Sequence, residues 1–186
     1  TICSILASIL NHNYDDFTCF VGGILKDYKS NFISGSRDKF LIEADEFDRS
    51  FLCLSPKYII ISSIDFDHQD CYNNYDDLYK SFIEFSKKVN QKNLIVKEGL
   101  RVDSKYTYSL NSNTSNFYSE NLRKKNDNFV FDIVYPGGKA KNIYTNLPSA
   151  ALYESLDPWG WWYNKRTNNK EIIPHPYLAS SVVHLN

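Results

Sequence analysis

Apolar residues at Ile2, Ile5, Leu6, Ile9 and Leu10 fall on the i, i+3, i+4, i+7, i+8 stripe of an amphipathic helix. Asn11 and Asn13 follow, and asparagine tolerates the left-handed turn that closes a helix, so the helix is predicted to end there. Residues 17–21 read as a short strand stopped by Gly22-Gly23. Residues 39–44 (KFLIEA) and 58–63 (YIIISS) are compact apolar runs without helical period, the signature of strands covered on both faces. Helical spacing returns over 76–89, where Leu78, Phe82, Phe85 and Val89 form a stripe that leaves Lys80, Lys87 and Lys88 outside it. Residues 93–97 read as one more strand. This alternation predicts an α/β fold, a largely parallel sheet with helices on both faces.

Beyond residue 104 the pattern weakens. Residues 104–128 are polar and rich in Asn, Ser and Tyr, and read as surface loops and edge strands. Residues 129–135 (FVFDIVY) resume as a strand, followed by a turn at Pro136-Gly137-Gly138. Residues 149–186 differ in kind: Trp159, Trp161 and Trp162 cluster there with Pro158, Pro174 and Pro176, and no periodic pattern is sustained.

Composition narrows the classes. The chain has 186 residues, 42% hydrophobic and 23% charged, as in a soluble globular domain. Its 21 Lys+Arg against 22 Asp+Glu leave a net charge of -1, which argues against a nucleic-acid-binding face. No apolar run is long enough to span a membrane, and no secretory leader opens the chain, so a cytoplasmic location is expected. The chain has no methionine and begins at Thr1, which predicts an internal piece of a longer protein. Lysine (16) far exceeds arginine (5) and asparagine reaches 19, a bias of AT-rich coding rather than of function. Cys3, Cys19, Cys53 and Cys71 form no C-x-x-C pair, so a structural zinc site is not expected; each lies among apolar residues and reads as a small buried side chain.

Two acidic clusters follow predicted buried strands: Glu43-Ala44-Asp45-Glu46-Phe47-Asp48, and Asp65-Phe66-Asp67-His68-Gln69-Asp70. In open α/β sheets, ligands bind beyond the carboxyl ends of the strands. Four acids in six residues after one strand, then three acids and a histidine after another, suit a hard divalent cation shared with phosphate oxygens. Acid-rich turns also serve as helix N-caps and solvated loops, and both readings stand at this level. His12, His175 and His184 have no acidic company and read as surface residues. No G-x-x-x-x-G-K-[ST] phosphate loop occurs in the chain.

The segment EADEFDRSFL (43–52), read with SIDFDHQDCY (63–72), resembles the central ATP-binding domain of the Mur ligases, the family that adds amino acids during peptidoglycan synthesis. Phe20-Val21-Gly22-Gly23 is similar to the family's apolar-then-Gly-Gly element, and residues 129–132 and Leu147-Pro148 to its later strand and the start of an L-P-G-x-H-N segment. Arg49-Ser50-Phe51-Leu52 favours the alanine-adding branch over a sister Mur-type ligase. The resemblance implies the small-molecule substrates ATP, UDP-N-acetylmuramate and L-alanine, with no nucleic-acid or membrane partner. In that reaction ATP phosphorylates the sugar-nucleotide carboxylate, and the amine of alanine attacks the acyl phosphate. It further implies that Glu43 and His68 are catalytic metal ligands, Glu43 holding Mg²⁺ (or Mn²⁺) at the ATP phosphates and His68 helping to hold a second cation near the acyl phosphate, with Asp67 and Asp45 orienting them. Thr1 and Asp45 would lie on the ATP side, and Gly22 and Gly23 near the sugar nucleotide.

The pattern departs from the family at both ends. The lysine-bearing phosphate loop would precede Thr1, and Ser149-Ala150-Ala151-Leu152 stands where G-x-H-N would follow. Ser63 stands where many members have Asn. The resemblance thus predicts a partial central domain over 1–148 and an unassigned tail over 149–186, the latter consistent with a frame shift. The 186-residue chain by itself is expected not to form the amide. The alternative is a non-catalytic product of a decayed ligase gene; a phosphohydrolase centred on Asp67-His68 is a third reading.

Overall fold

The computed structural model describes residues 2–13, 16–25, 28–66, 70–110, 112–125, 128–145 and 181–185. The predicted stripe forms helix α1 (Ile2–His12), with Cys3 and Ala7 buried. Its end differs from expectation. Neither asparagine adopts a left-handed conformation; Asn13 instead donates both its backbone amide, at 3.1 Å, and its side-chain amide, at 2.9 Å, to the Ile9 carbonyl.

Strand β1 (Thr18–Leu25) follows, then β2 (Ser30–Ile33) and β3 (Phe40–Ala44). The chain does not stop at Gly22-Gly23: β1 runs through both glycines, and its pairing with β2 shifts register between Phe20 and Leu25. A 3₁₀ turn (Phe47–Cys53) leads into β4 (Pro56–Ile61) and helix α2 (Tyr75–Ser86). The side chain of Asn74 caps α2 by accepting from the Asp77 amide at 2.9 Å, and Asp76 and Asp77 in the first turn complement the helix dipole. A short 3₁₀ turn (Gln91–Asn93) precedes β5 (Leu94–Lys97) and β6 (Tyr106–Ser109). The region read as loops and edge strands thus supplies β6 and also the longer β7 (Phe117–Lys125), before β8 (Asn128–Tyr135) and β9 (Gly138–Thr145). Strand β10 (Ser181–Leu185) lies in the segment to which the sequence assigned no element.

The chain divides into two units, Thr1–Ser109 with Ala179–Asn186, and Leu110–Leu178. In the first, the strand order is β2-β1-β3-β10-β4-β5-β6. Strands β1, β3, β4, β5 and β6 run in one direction, while β2 and β10 are antiparallel to their neighbours. This is the mixed, mostly parallel α/β sheet the sequence predicts.

The alternation of β4 builds its two faces. Ile59 and Ile61 join Phe51, Leu78, Phe82, Phe85, Leu94 and Val96 in the core on the α2 side. Ile60 packs instead with Cys3, Ala7, Cys19, Val21 and Leu41 on the α1 side. Helices therefore cover opposite faces. Cys53 departs from expectation: it is exposed at the end of its 3₁₀ turn, whereas Cys3 and Cys19 are buried. Among the described residues no helix is long and apolar enough to cross a membrane.

In the second unit, β7, β8 and β9 form an antiparallel meander. Its central device is buried Asp132 on β8, which accepts from the Asn142 amide at 2.9 Å and the Asn121 side chain at 2.8 Å, and pairs with Lys139 at 3.3 Å. Asn121 and Asn142 both have positive φ (54° and 55°), and the pairing on each side of β8 shifts register near them. Asparagine is the residue that best tolerates this conformation after glycine. The Asn142 amide first, then Asn121 and Lys139, hold the Asp132 carboxyl down at about 2, from an ordinary 3.8. A depressed folded-state value means stability that is full above about pH 4 and lost as pH falls towards 2. Thermal melts of this unit are expected to decline over that window. Asp132→Asn should lower the melting temperature at pH 7 and flatten the decline; an unchanged acid slope would remove Asp132 as its source.

Candidate functional site

The parallel pairing of β1 with β3 sets Phe20 opposite Ile42, which brings the carboxyl ends of the two strands side by side. Glu43 sits one residue from the end of β3, and its Oε2 accepts the Gly22 amide of β1 at 2.9 Å. A methyl group at Gly22 would lie 3.8 Å from that oxygen, and at Gly23 it would meet nothing within 4 Å. The structure therefore brings together two of the residues singled out by sequence, Gly22 and Glu43, at the sheet end where α/β proteins bind ligands.

Cys3 and Cys19 lie close enough to Glu43 to feel its charge. Burial, and then Glu43, pushes the Cys3 thiol up and the Cys19 thiol to about 11. Both thiols stay protonated at neutral pH in this environment.

Asp45 does a local job. Its Oδ1 accepts the Phe47 amide at 2.9 Å, and its carbonyl accepts from Ser50 Oγ at 2.9 Å and the Phe51 amide at 3.1 Å. Together these bonds close the turn that leaves β3. Within it Asp48 and Arg49 both have positive φ, 51° and 58°. The reward is twofold: Phe51 enters the core, and Arg49 reaches α2, with Nη2 2.9 Å from Asp77 Oδ2 and Nη1 3.0 Å from Ser81 Oγ. Its guanidinium also lies over the Tyr72 ring, 4.9 Å from the centroid. Buried Tyr72 donates its hydroxyl to the Glu46 carbonyl at 2.6 Å. The two acidic motifs are thus joined through Arg49, Tyr72 and Asp77. The sequence offers Arg49 and Tyr72 only as members of the two motifs and does not foresee these contacts, because the partners lie 23–32 positions apart and no local spacing announces them.

Thr1, Asp67 and His68 lie outside the described residues, as do Leu147-Pro148 and the three tryptophans. Among the described residues no three His, Cys, Asp or Glu side chains converge on a metal-sized point. The donor set still fits Mg²⁺, which is commonly held by one or two carboxylates and otherwise by water and substrate phosphates. Glu43 is such a carboxylate, with a backbone amide already fixing one of its oxygens.

No family model matches the chain. Curated relatives do. A UDP-N-acetylmuramate–L-alanine ligase from Christiangramia forsetii is 42% identical over 149 residues, 80% of this chain and 32% of the relative. The protein of the same name from Parabacteroides distasonis is 38% identical over 157 residues, covering 80% of this chain and 34% of the relative. The chain thus spans about a third of the length of these relatives. Among solved structures, the UDP-N-acetylmuramate-alanine ligase of Thermotoga maritima superposes with a TM-score of 0.64 at 17% identity, covering 82% of this chain and 36% of that one. A ligase for UDP-N-acetylmuramate and L-alanyl-γ-D-glutamyl-meso-diaminopimelate from Neisseria meningitides gives 0.58 at 17% identity, over 74% and 49%. These structures share the fold that presents Glu43 at a strand end, and the curated relatives share the sequence over most of the chain; the chain belongs to the Mur ligase family.

Proposed function

We propose that this chain supplies the central, cation-binding part of an ATP-dependent ligase that joins L-alanine to the carboxylate of UDP-N-acetylmuramate in peptidoglycan synthesis. The observation that carries the reading is the Glu43 carboxylate at the carboxyl end of β3, fixed by the Gly22 amide within a motif that resembles the family's. A carboxylate is a poor electrophile, so amide formation needs its conversion to an acyl phosphate, and negative charge gathers where phosphate passes to it. Mg²⁺ supplies neutralisation of that charge when bound. Glu43 would hold it, and His68, with Asp67 orienting, would help hold a second cation from the segment after β4.

The chain's own residues prepare this end of the sheet. Gly22 leaves space above Glu43 for a ligand to approach the backbone. Asp45 gives Oδ1 to the Phe47 amide in the turn, which supports a part for it in shaping the ATP side of the site. The relatives' printed name favours L-alanine as the acceptor over the peptide of the sister ligase.

A chimera tests the reading. Residues 1–145 of this chain would replace the aligned segment of the Christiangramia forsetii relative. The expected result is ATP turnover that requires both UDP-N-acetylmuramate and L-alanine. A folded chimera that releases phosphate without L-alanine would support a phosphohydrolase, and one with no turnover would support a non-catalytic descendant.

A further inference from the structure

We propose that Arg49 and Tyr72 are positioning residues for the Glu43 carboxylate, an inference that rests on the ligase reading for its purpose. Glu43 is delivered by β3, but β3 ends one residue later, and what fixes the strand end is the turn beyond it. That turn is held from outside. Tyr72, 2% exposed, donates to the Glu46 carbonyl three residues past Glu43, while Arg49 stacks on the same Tyr72 ring and grips Asp77 and Ser81 of α2. Asp77 is itself tied to the chain just after Tyr72, accepting from the Asn73 amide at 3.2 Å and its side chain at 3.3 Å. The chain leaving β3 and the chain leading into α2 are thereby locked as one piece.

Three features argue that this arrangement serves position. Two consecutive non-glycine residues in the left-handed region are unfavourable, and they are retained where the surroundings over-determine them. Arg49 is 41% exposed, and an ion pair so open to water contributes little to stability, so stabilisation alone does not account for it. A guanidinium that makes two hydrogen bonds and a ring stack at once fixes direction as well as charge, which a lysine cannot do. The Tyr72 phenol, pushed up to about 12 by burial, remains a donor at any physiological pH.

The Gly22 amide reports on the outcome, because its partner is the Glu43 side chain itself. In the ¹⁵N-labelled 186-residue chain, Arg49→Ala and Tyr72→Phe are each expected to speed hydrogen exchange at Gly22 by about tenfold and to shift its resonance, while the Phe82 and Phe85 amides of α2 keep their protection. Arg49→Lys should recover the melting temperature but not the Gly22 protection. Tyr72→Phe removes a single hydroxyl, so it keeps the test decisive even if Arg49→Ala unfolds. Unchanged Gly22 exchange in Tyr72→Phe, or full recovery in Arg49→Lys, would overturn the inference. The measurement needs no ligase activity: an inactive chimera beside a displaced Gly22 amide would sink the ligase reading and leave the positioning intact.

Discussion

Replacing Glu43 with glutamine in the active chimera is expected to lower turnover by about a hundredfold or more, the scale of removing one strong electrostatic contact to developing charge. The substitution is chosen for what it keeps. Glutamine has the same length, and its side-chain oxygen can still accept the Gly22 amide that now meets Glu43 at 2.9 Å. The fold should therefore persist, with a melting temperature close to that of the parent. What is lost is the negative charge that attracts Mg²⁺, so raising the Mg²⁺ concentration should recover part of the activity. Turnover within a few-fold of the parent at limiting Mg²⁺ would show that Glu43 is not the metal-holding carboxylate.

Phe51→Ala is expected to remove about 3–5 kcal/mol from the stability of the first unit, the usual loss for a fully buried phenylalanine. Phe51 is 1% exposed, and its ring centroid lies 5.1 Å from that of Phe82 and 4.8 Å from that of Phe85. It comes from the turn after the first acidic motif and packs on the helix after the second. The cavity would thus open where the two halves of the candidate site are joined. Set against a typical domain stability of about 5–15 kcal/mol, the loss should leave a substantial unfolded fraction near body temperature. Urea titration by circular dichroism measures it, and Phe51→Leu should keep most of the stability. A loss below about 1 kcal/mol would mean that the aromatic cluster is not the keystone of this unit.

The shared basis of both predictions is the segment 43–52, whose residues alternate between chemistry and structure. Glu43 faces the Gly22 amide, Asp45 closes the turn, Arg49 holds α2 and Phe51 fills the core. A motif this dense is specific because nearly every position has its own physical duty. That is why its resemblance to the family was readable from the chain alone.

Periodicity determined much of the rest. The stripes of α1 and α2 and the apolar runs of β3, β4 and β5 are local patterns, each set by which side of an element must leave water, and the structure places all five elements within a few residues of expectation. Local pattern also placed acids at two strand ends. What it could not determine was anything decided by distant partners. Two glycines read as a stop, yet β1 continues through them, with the Gly22 amide held by the Glu43 side chain and the pairing with β2 resuming at Leu25 after an irregularity. Polar residues 104–128 read as loops and edge strands without bounds, and only the fold places β7 at 117–125, with its pairing to β8 shifting register between Glu120 and Arg123. Asp132 looked like one acid in an apolar strand, and only the fold surrounds it with Asn121, Asn142 and Lys139. Arg49 and Tyr72 were legible only as members of the two motifs; their contacts with each other and with Asp77 and Glu46 were not. The sequence by itself determined the elements and the chemistry of the strand ends, because those follow from neighbours along the chain. The tertiary structure alone decided which of those groups touch, because hydrogen bonds and ring contacts are set by separation in space.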